Sequence, residues 1–186
     1  MRTFLAFKIS EEIRKHLEHL VAELSALDDS ITWVKPQNMH VTIKFMGDVE
    51  ESHISDIIEK VAPIVTRTPA FSLHCLGIGI FPNWKYPKVI WAGLSGEVDA
   101  PIALHNEIEA ALADMGLKKD EREFRLHLTI GRTKGIRSGS SVAKRVEALE
   151  VIDFGSFNVS ELTLFKSELG ADGPLYTPVK KFELKK

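Results

Sequence analysis

The chain has 186 residues, and its 24 lysines and arginines against 26 aspartates and glutamates give a formal net charge of −2 at pH 7. This length suits one domain with a substantial core, and the hydrophobic share of 44% and charged share of 27% are ordinary for a globular protein. The slightly acidic total argues against a general nucleic-acid-binding protein, and the single cysteine, Cys75, excludes an intramolecular disulfide.

The first half of the sequence alternates between strand and helix patterns. Ser10, followed by two glutamates, is a typical helix N-cap, and the stretch HVTIKF alternates apolar with polar residues, as a half-buried strand does. That alternation predicts one strand face for His40, Thr42 and Lys44. The predicted elements are a strand, an amphipathic helix, this half-buried strand, a second helix and a strand: 3–9, 10–24, 40–45, 52–61 and 71–81.

The second half shows the same order of patterns. Asp99 is typical of a helix start, Gly116 of a helix end, and the stretch HLTIGR, residues 127–132, of another half-buried strand. Ser140 or Ser141 is placed to cap a short helix. The predicted elements are a strand, a helix, the HLTIGR strand, a short helix and two strands: 89–94, 99–115, 127–132, 140–149, 157–169 and 179–184.

The two halves therefore repeat one pattern of strand, helix, strand, helix and strand. Adding 87 to the residue number carries His40 onto His127 and Thr42 onto Thr129. The repeat predicts an α+β fold with two similar lobes related by a pseudo-two-fold axis, whose antiparallel sheets line a central cleft. We expect residues 1–186 to form a single bilobal domain in which both His-Thr faces meet at the cleft.

Two histidines that face one cleft suit acid–base catalysis. Imidazole has an ordinary pKa of about 6.5, so one histidine can accept a proton while the other donates one. The hydroxyl groups of Thr42 and Thr129 suit the non-bridging oxygens of a phosphate, whose negative charge increases during attack. The four residues together predict chemistry on a phosphoester. We expect no metal and no cofactor, because the sequence has no HExxH motif and no nearby cluster of metal-binding residues.

Basic residues flank both motifs and are expected to attract a polyanion locally, despite the acidic total. Lys35 and Lys44 lie near His40 in the sequence. Those near His127 are Arg122, Arg125, Arg132, Lys134 and Arg137. The loop FPNWKYP, residues 81–87, adds aromatic side chains on which a base could stack.

The paired motifs HVTIKF and HLTIGR resemble those of the two-histidine phosphoesterase superfamily. Further segments resemble its RNA 2′,3′-cyclic phosphodiesterase branch, historically called 2′-5′ RNA ligases. These segments are RTFLAFKISEEI, TWVKPQNMHVTIKFMGDV, GIFPNWKYPKVIWAGL and ELTLFKSELGADGPLYTPVKKFEL. The resemblance covers nearly the whole chain and implies a bilobal, metal-independent enzyme. One departure is Leu126, where many members have proline before the second histidine.

The resemblance implies hydrolysis of RNA 2′,3′-cyclic phosphate ends to 2′-phosphomonoesters, with reversible 2′-5′ ligation as a related reaction. It makes His40 and His127 the catalytic pair, and we assign His40 as proton donor and His127 as proton acceptor. Thr42 and Thr129 are expected to bind the phosphate. Arg132, Arg125 and Lys44 are the candidate RNA contacts.

The expected partner is an RNA that ends in a 2′,3′-cyclic phosphate, such as a tRNA fragment, and we expect a cytoplasmic monomer that does not bind membranes. Two alternatives remain open at this stage. A related phosphoesterase would act on a different cyclic or 2′-5′ phosphoester. A non-catalytic RNA-end binding module would use the same cleft without turnover, although it would not need two proton carriers.

Overall fold

The structure, a computed structural model, describes residues 1–27, 30–120, 123–135, 140–149, 151–171 and 173–186. Within these residues the chain forms nine strands and four α-helices. The strands are β1 Arg2–Lys8, β2 Ile31–Trp33, β3 His40–Asp48, β4 Phe71–Phe81, β5 Val89–Gly96, β6 His127–Thr133, β7 Asp153–Val159, β8 Glu161–Gly170 and β9 Gly173–Glu183. The helices are α1 Glu11–Ser25, α2 Ile54–Arg67, α3 Asp99–Ala113 and α4 Ser140–Glu147.

The helices begin near the predicted positions, but α2 ends at Arg67, six residues after the predicted end at Val61. The Ser10 hydroxyl accepts a hydrogen bond from the backbone N–H of Ile13 at 3.3 Å, which confirms the N-cap of α1. A 3₁₀ turn over Glu51–His53 precedes α2, so this helix begins two residues after Ser52. Gly116, with φ of 81°, follows the end of α3 in the left-handed region that glycine adopts without strain.

The strands form a nine-stranded sheet in the order β7-β4-β5-β6-β3-β1-β8-β9, with β2 paired to β6. The neighbouring strands pair antiparallel. At the centre, β3 meets β6 through Val41, which lies directly opposite Leu128. These two residues are 87 positions apart and therefore equivalent in the repeat, so the pseudo-two-fold axis passes between them.

The α+β fold with two similar lobes is confirmed, and the strand order adds a feature that the repeat did not predict. β4, from the first half of the sequence, pairs with β5 of the second half. β8, from the second half, pairs with β1 of the first half. Each lobe therefore includes at least one strand from the other half of the sequence, and backbone hydrogen bonds between strands of the two halves tie the lobes together.

The C-terminal strands differ from the prediction. One strand was expected over 157–169, but two strands, β7 and β8, lie on either side of Ser160. β9 begins at Gly173, six residues before the predicted start at Val179. It contains Pro174 and Pro178, and it accommodates them because it lies at the edge of the sheet.

Each motif strand contains a β-bulge at the same place in the repeat. Ala6 of β1 lies opposite Thr42, and the next residue back, Leu5, lies opposite Lys44, so Ile43 is an extra residue in β3. The same shift occurs between β5 and β6, where Ile130 is the extra residue. Ile43 and Ile130 are again 87 positions apart.

The carbonyl of each bulge residue accepts a hydrogen bond from a group outside the paired strands. Nδ1–H of the buried His105 donates to the Ile43 carbonyl at 2.7 Å, and the His105 ring stacks on Phe124 with centroids 3.9 Å apart. The Val34 backbone N–H donates to the Ile130 carbonyl at 2.9 Å. Both bulges are therefore satisfied and fixed, but by different groups.

The bulge makes one prediction from the alternation of β3 wrong. Lys44 does not share a face with His40 and Thr42, because the extra residue turns it into the core, where it is only 1% exposed. Its ammonium group pairs with Glu109 and with Asp120, the latter at 3.4 Å, and donates to the Lys118 carbonyl at 3.0 Å. A buried and paired ammonium group cannot contact RNA in the cleft.

The two faces of the sheet have different surroundings. The helices pack on one face and enclose the main core, which includes Leu5, Phe7 and Val41. On the opposite face of β1, Phe4 and Ala6 pack with Phe165 and the partly buried Tyr176, beside the motif residues. Among the helices of the described chain, none combines the length and the apolar character needed to cross a lipid bilayer.

Candidate active site

The four motif residues lie side by side where the two halves of the sheet meet. Val41 and Leu128 are fully buried on the core face, so the residues on either side of them face the cleft. Because β3 and β6 are antiparallel, continuing this register places His40 beside Thr129 and Thr42 beside His127. All four side chains are half-buried.

Both histidines are oriented in the same way. Nδ1 of His40 lies 2.6 Å from the Asn38 carbonyl, and Nδ1 of His127 lies 2.6 Å from the Arg125 carbonyl. A carbonyl oxygen only accepts, so Nδ1 of each ring carries a proton and donates it. The Nε2 atom of each ring is therefore the atom available for proton transfer.

Aromatic rings hold each imidazole in place. The His40 ring stacks on Phe4, with centroids 4.8 Å apart, and meets the edge of Tyr176 at 5.3 Å. The His127 ring meets Phe81 edge-on at 5.3 Å and lies 6.5 Å from Trp91. Phe81, the last residue of β4 and the first of the predicted aromatic segment 81–87, thus contributes directly to the site.

Arg132 faces the cleft because of the second bulge. Strict alternation from His127 would place Arg132 on the core face, but the extra residue Ile130 reverses the alternation, and Arg132 lies exposed opposite Val89. Its positive charge lowers the pKa of both motif histidines and of Tyr176. One guanidinium group therefore acts on all the titratable side chains of the site.

Both histidines have a pKa below the ordinary value of 6.5. Burial is the largest cause for each, and the hydrogen bond to the backbone carbonyl acts in the opposite direction. Arg132 then lowers both pKa values further. In the free protein at neutral pH, both rings are therefore mainly neutral, with an unprotonated Nε2.

Comparison with known proteins places the chain in a family. The family model described as LigT like phosphoesterase matches residues 7–91 and 95–176, two stretches that follow the two halves of the repeat. The chain belongs to the LigT-like phosphoesterase family. An RNA 2′,3′-cyclic phosphodiesterase of Methanothermobacter thermautotrophicus is 34% identical over 184 residues, covering 99% of both chains. One of Thermotoga maritima is 33% identical over 178 residues, covering 95% of this chain and 91% of that protein.

Solved structures agree with this family. LigT of E. coli in its apo form has a TM-score of 0.79 and 25% sequence identity, and covers 100% of this chain and 98% of its own. A protein of Thermus thermophilus has a TM-score of 0.84 at 24% identity, with the same coverage. The second likeness shows the fold alone.

This LigT-like phosphoesterase also contains site residues that the sequence did not predict. Asn38 is buried, and in addition to the bond from its carbonyl to His40, its side-chain Nδ2 donates to the Pro174 carbonyl at 2.7 Å. Pro174 lies in β9, two residues before Tyr176. Asn38 therefore links the strand that carries Tyr176 to the loop that orients His40.

The remaining predicted cations lie in different environments. Arg125 is exposed, and its guanidinium group lies 3.4 Å from Glu123, so its contact with RNA remains a prediction. Arg122 and Arg137 lie outside the described residues. Among the described residues, no group of three or more His, Cys, Asp and Glu side chains is arranged to hold a metal ion.

Proposed function

We propose that the protein hydrolyses RNA 2′,3′-cyclic phosphate ends to 2′-phosphomonoesters by paired-histidine acid–base catalysis. The observation that carries the proposal is the equivalent placement of two histidines on one cleft face, each with Nδ1 bound to a carbonyl and Nε2 available. Curated relatives that match almost the full chain are named RNA 2′,3′-cyclic phosphodiesterases, which supports the same substrate.

The proposed reaction transfers one proton at each histidine. Water attacks the cyclic phosphorus opposite the 3′-oxygen, and Nε2 of His127 accepts the proton of the water. Nε2 of His40, in the protonated form of this ring, donates its proton to the departing 3′-oxygen, which leaves the phosphate on the 2′-oxygen. The more open position of His127, whose bond to Arg125 is solvent-exposed, supports its assignment to the water.

The neighbouring side chains are suited to stabilise the phosphate. We assign the hydroxyl groups of Thr42 and Thr129 to its non-bridging oxygens, because each lies beside a histidine on the same face. Arg132 supplies positive charge at the same place, which favours the dianionic character that develops during attack. An RNA 5′-hydroxyl in place of water would give a 2′-5′ linkage by the same steps.

The finer assignments are also proposals. Both histidines come from one chain, which supports a monomer as the working unit, and one core that includes residues of both lobes supports a single domain over 1–186. The single buried cysteine suits a cytoplasmic location. Among RNAs, fragments of tRNA with cyclic phosphate ends are the substrates we would test first.

The test is incubation of a short RNA that ends in a 2′,3′-cyclic phosphate with the protein and excess EDTA, followed by separation of 2′- and 3′-phosphate products. His40→Ala and His127→Ala are assayed beside the wild type, with the exposed His53→Ala as the matched control. We expect only the 2′-phosphate, formed by the wild type and His53→Ala.

Tight RNA binding without any product would favour the end-binding module. A 3′-phosphate product would contradict the in-line attack opposite the 3′-oxygen. Turnover that EDTA abolishes would contradict a metal-independent reaction. Wild-type rates in either histidine variant would remove that residue from the catalytic pair.

A further inference from the structure

Arg2 lies on the cleft face of β1, beyond the histidine pair. Side chains alternate along this strand, so Arg2 shares its face with Phe4, which stacks on His40. The guanidinium carbon of Arg2 lies 5.0 Å from the centroid of the Phe45 ring, which fixes the group by a cation–π contact. Phe45 faces the cleft because of the first bulge and is 42% exposed.

The charge of Arg2 is not neutralised by any residue that the structure describes. Among the described residues, no carboxylate lies within ion-pair distance of Arg2, although Asp48 is its register partner on β3. Three arginines elsewhere pair with a glutamate: Arg14 with Glu11, Arg67 with Glu107, and Arg125 with Glu123. An unpaired, fixed guanidinium group beside an active site is available to an anionic ligand.

Tyr176 connects Arg2 to the reacting centre. Its ring meets Phe4 edge-on at 4.9 Å and His40 at 5.3 Å, and the positive charges of Arg132 and Arg2 both act on its hydroxyl. Burial outweighs these charges and raises the pKa of Tyr176, so the hydroxyl keeps its proton and can donate a hydrogen bond. Arg132, the Tyr176 hydroxyl and Arg2 together form a positively charged surface that extends from the histidines along the cleft face.

We propose that Arg2 and the Tyr176 hydroxyl bind the phosphate that joins the terminal nucleotide to its 5′ neighbour. This inference rests on the proposed function and adds a second phosphate subsite to it. The subsite distinguishes the end of an RNA chain, which carries that phosphate, from a nucleoside 2′,3′-cyclic phosphate, which does not.

The experiment compares kcat/KM for a nucleoside 2′,3′-cyclic phosphate with kcat/KM for a dinucleotide that ends in the same cyclic phosphate. The wild type is expected to prefer the dinucleotide about tenfold in kcat/KM. This is the factor that one charge-assisted hydrogen bond contributes at a partly exposed site. Arg2→Gln is expected to bring the ratio of the two values close to one. Arg2→Lys keeps the charge and is expected to retain part of the preference.

Arg145→Gln is the matched control, because it removes the same charge from an exposed position on α4. It is expected to leave the ratio at the wild-type value. The slope of log(kcat/KM) for the dinucleotide against log[salt] should also become shallower by about one in Arg2→Gln.

A wild-type ratio near one, or an unchanged ratio in Arg2→Gln, would overturn the subsite while leaving the proposed function intact. Hydrolysis of neither substrate by the wild type would contradict the proposed function and the subsite together. Loss of preference in Arg145→Gln as well would show that net charge, and not Arg2, is the cause.

Discussion

The two halves of the cleft have the same backbone conformation in their motif strands, but they differ in the side chains that follow each bulge. In both halves, the histidine binds the carbonyl two residues before it, at Asn38 and Arg125, which are equivalent positions. After the bulge, the first half places Lys44 in the core and Phe45 in the cleft, whereas the second half places Gly131 in the core and Arg132 in the cleft.

This comparison separates what the repeat supplies from what each half adds. The repeated backbone gives two equally oriented histidines, which alone would not distinguish the acid from the base. Lys44, whose equivalent is Gly131, is buried and stabilises the core. Arg132, whose equivalent is Phe45, supplies positive charge in the cleft. A one-residue bulge therefore decides which cation serves the core and which serves the site.

The largest effect is expected from breaking the symmetric pair itself. His40→Ala and His127→Ala should each lower kcat by about 10³-fold, because each removes one proton transfer that is worth 10²- to 10⁴-fold. The double variant should be little slower than either single variant, since the two groups act as one unit. Multiplicative losses in the double variant would show that the histidines act independently.

Lys44→Met tests the assignment of this cation to the core. The substitution leaves the partly buried Glu109 without its partner, and we expect the free energy of unfolding to fall by about 3 kcal/mol. The kcat/KM of the folded variant should stay at the wild-type value. Urea unfolding measures the change in the free energy of unfolding, with the exposed Lys60→Met as the control. A Lys44→Met variant that is as stable as the wild type but inactive would contradict a purely structural role for Lys44.

Arg132→Gln tests the assignment of the other cation to the site. Loss of the positive charge should lower kcat/KM by about tenfold to 100-fold through weaker phosphate binding. Because Arg132 lowers the pKa of both histidines, its removal should raise both pKa values and move the pH–rate profile toward higher pH. A profile that keeps its position, or moves toward lower pH, would argue against this electrostatic contact.

Asn38→Ala and Arg125→Ala compare the equivalent positions that orient the two histidines. Both variants keep the backbone carbonyl, but Asn38→Ala loses the bond to Pro174 that ties β9 to the loop before His40. We expect kcat for a nucleoside 2′,3′-cyclic phosphate to fall by about threefold to tenfold in Asn38→Ala. Arg125→Ala, which loses only an exposed contact with Glu123, should have the smaller effect, and the reverse order would contradict this account.

The sequence was sufficient to predict the motif faces and most of the helices and strands. The alternation in HVTIKF and HLTIGR correctly placed each histidine with its threonine, because the bulge occurs after the threonine in both strands. The bulge itself has no sequence signal, since Ile43 and Ile130 are ordinary strand residues. For this reason the face of Lys44 was predicted wrongly, and the alternation did not account for the placement of Arg132.

Other features depend on contacts that are distant in the sequence. β4 and β8 each pair with a strand from the other half of the sequence. This exchange changes which strands pair but not their order along the chain, so the sequence repeat does not reveal it. Tyr176 was missed because it lies before Val179, the predicted start of the last strand, whereas β9 begins at Gly173. Asn38 gave no signal either, because its hydrogen bond to Pro174 joins residues 136 positions apart.

The pH dependence of kcat/KM tests the central claim most directly. With a nucleoside 2′,3′-cyclic phosphate measured from pH 5 to 9, one histidine must be neutral and the other protonated, so the account predicts a bell-shaped profile. Both pKa values lie below 6.5 in the free protein, so the maximum should lie on the acidic side of pH 6.5, and activity should fall as rising pH removes the donor's proton. A flat profile across this range would contradict paired-histidine catalysis.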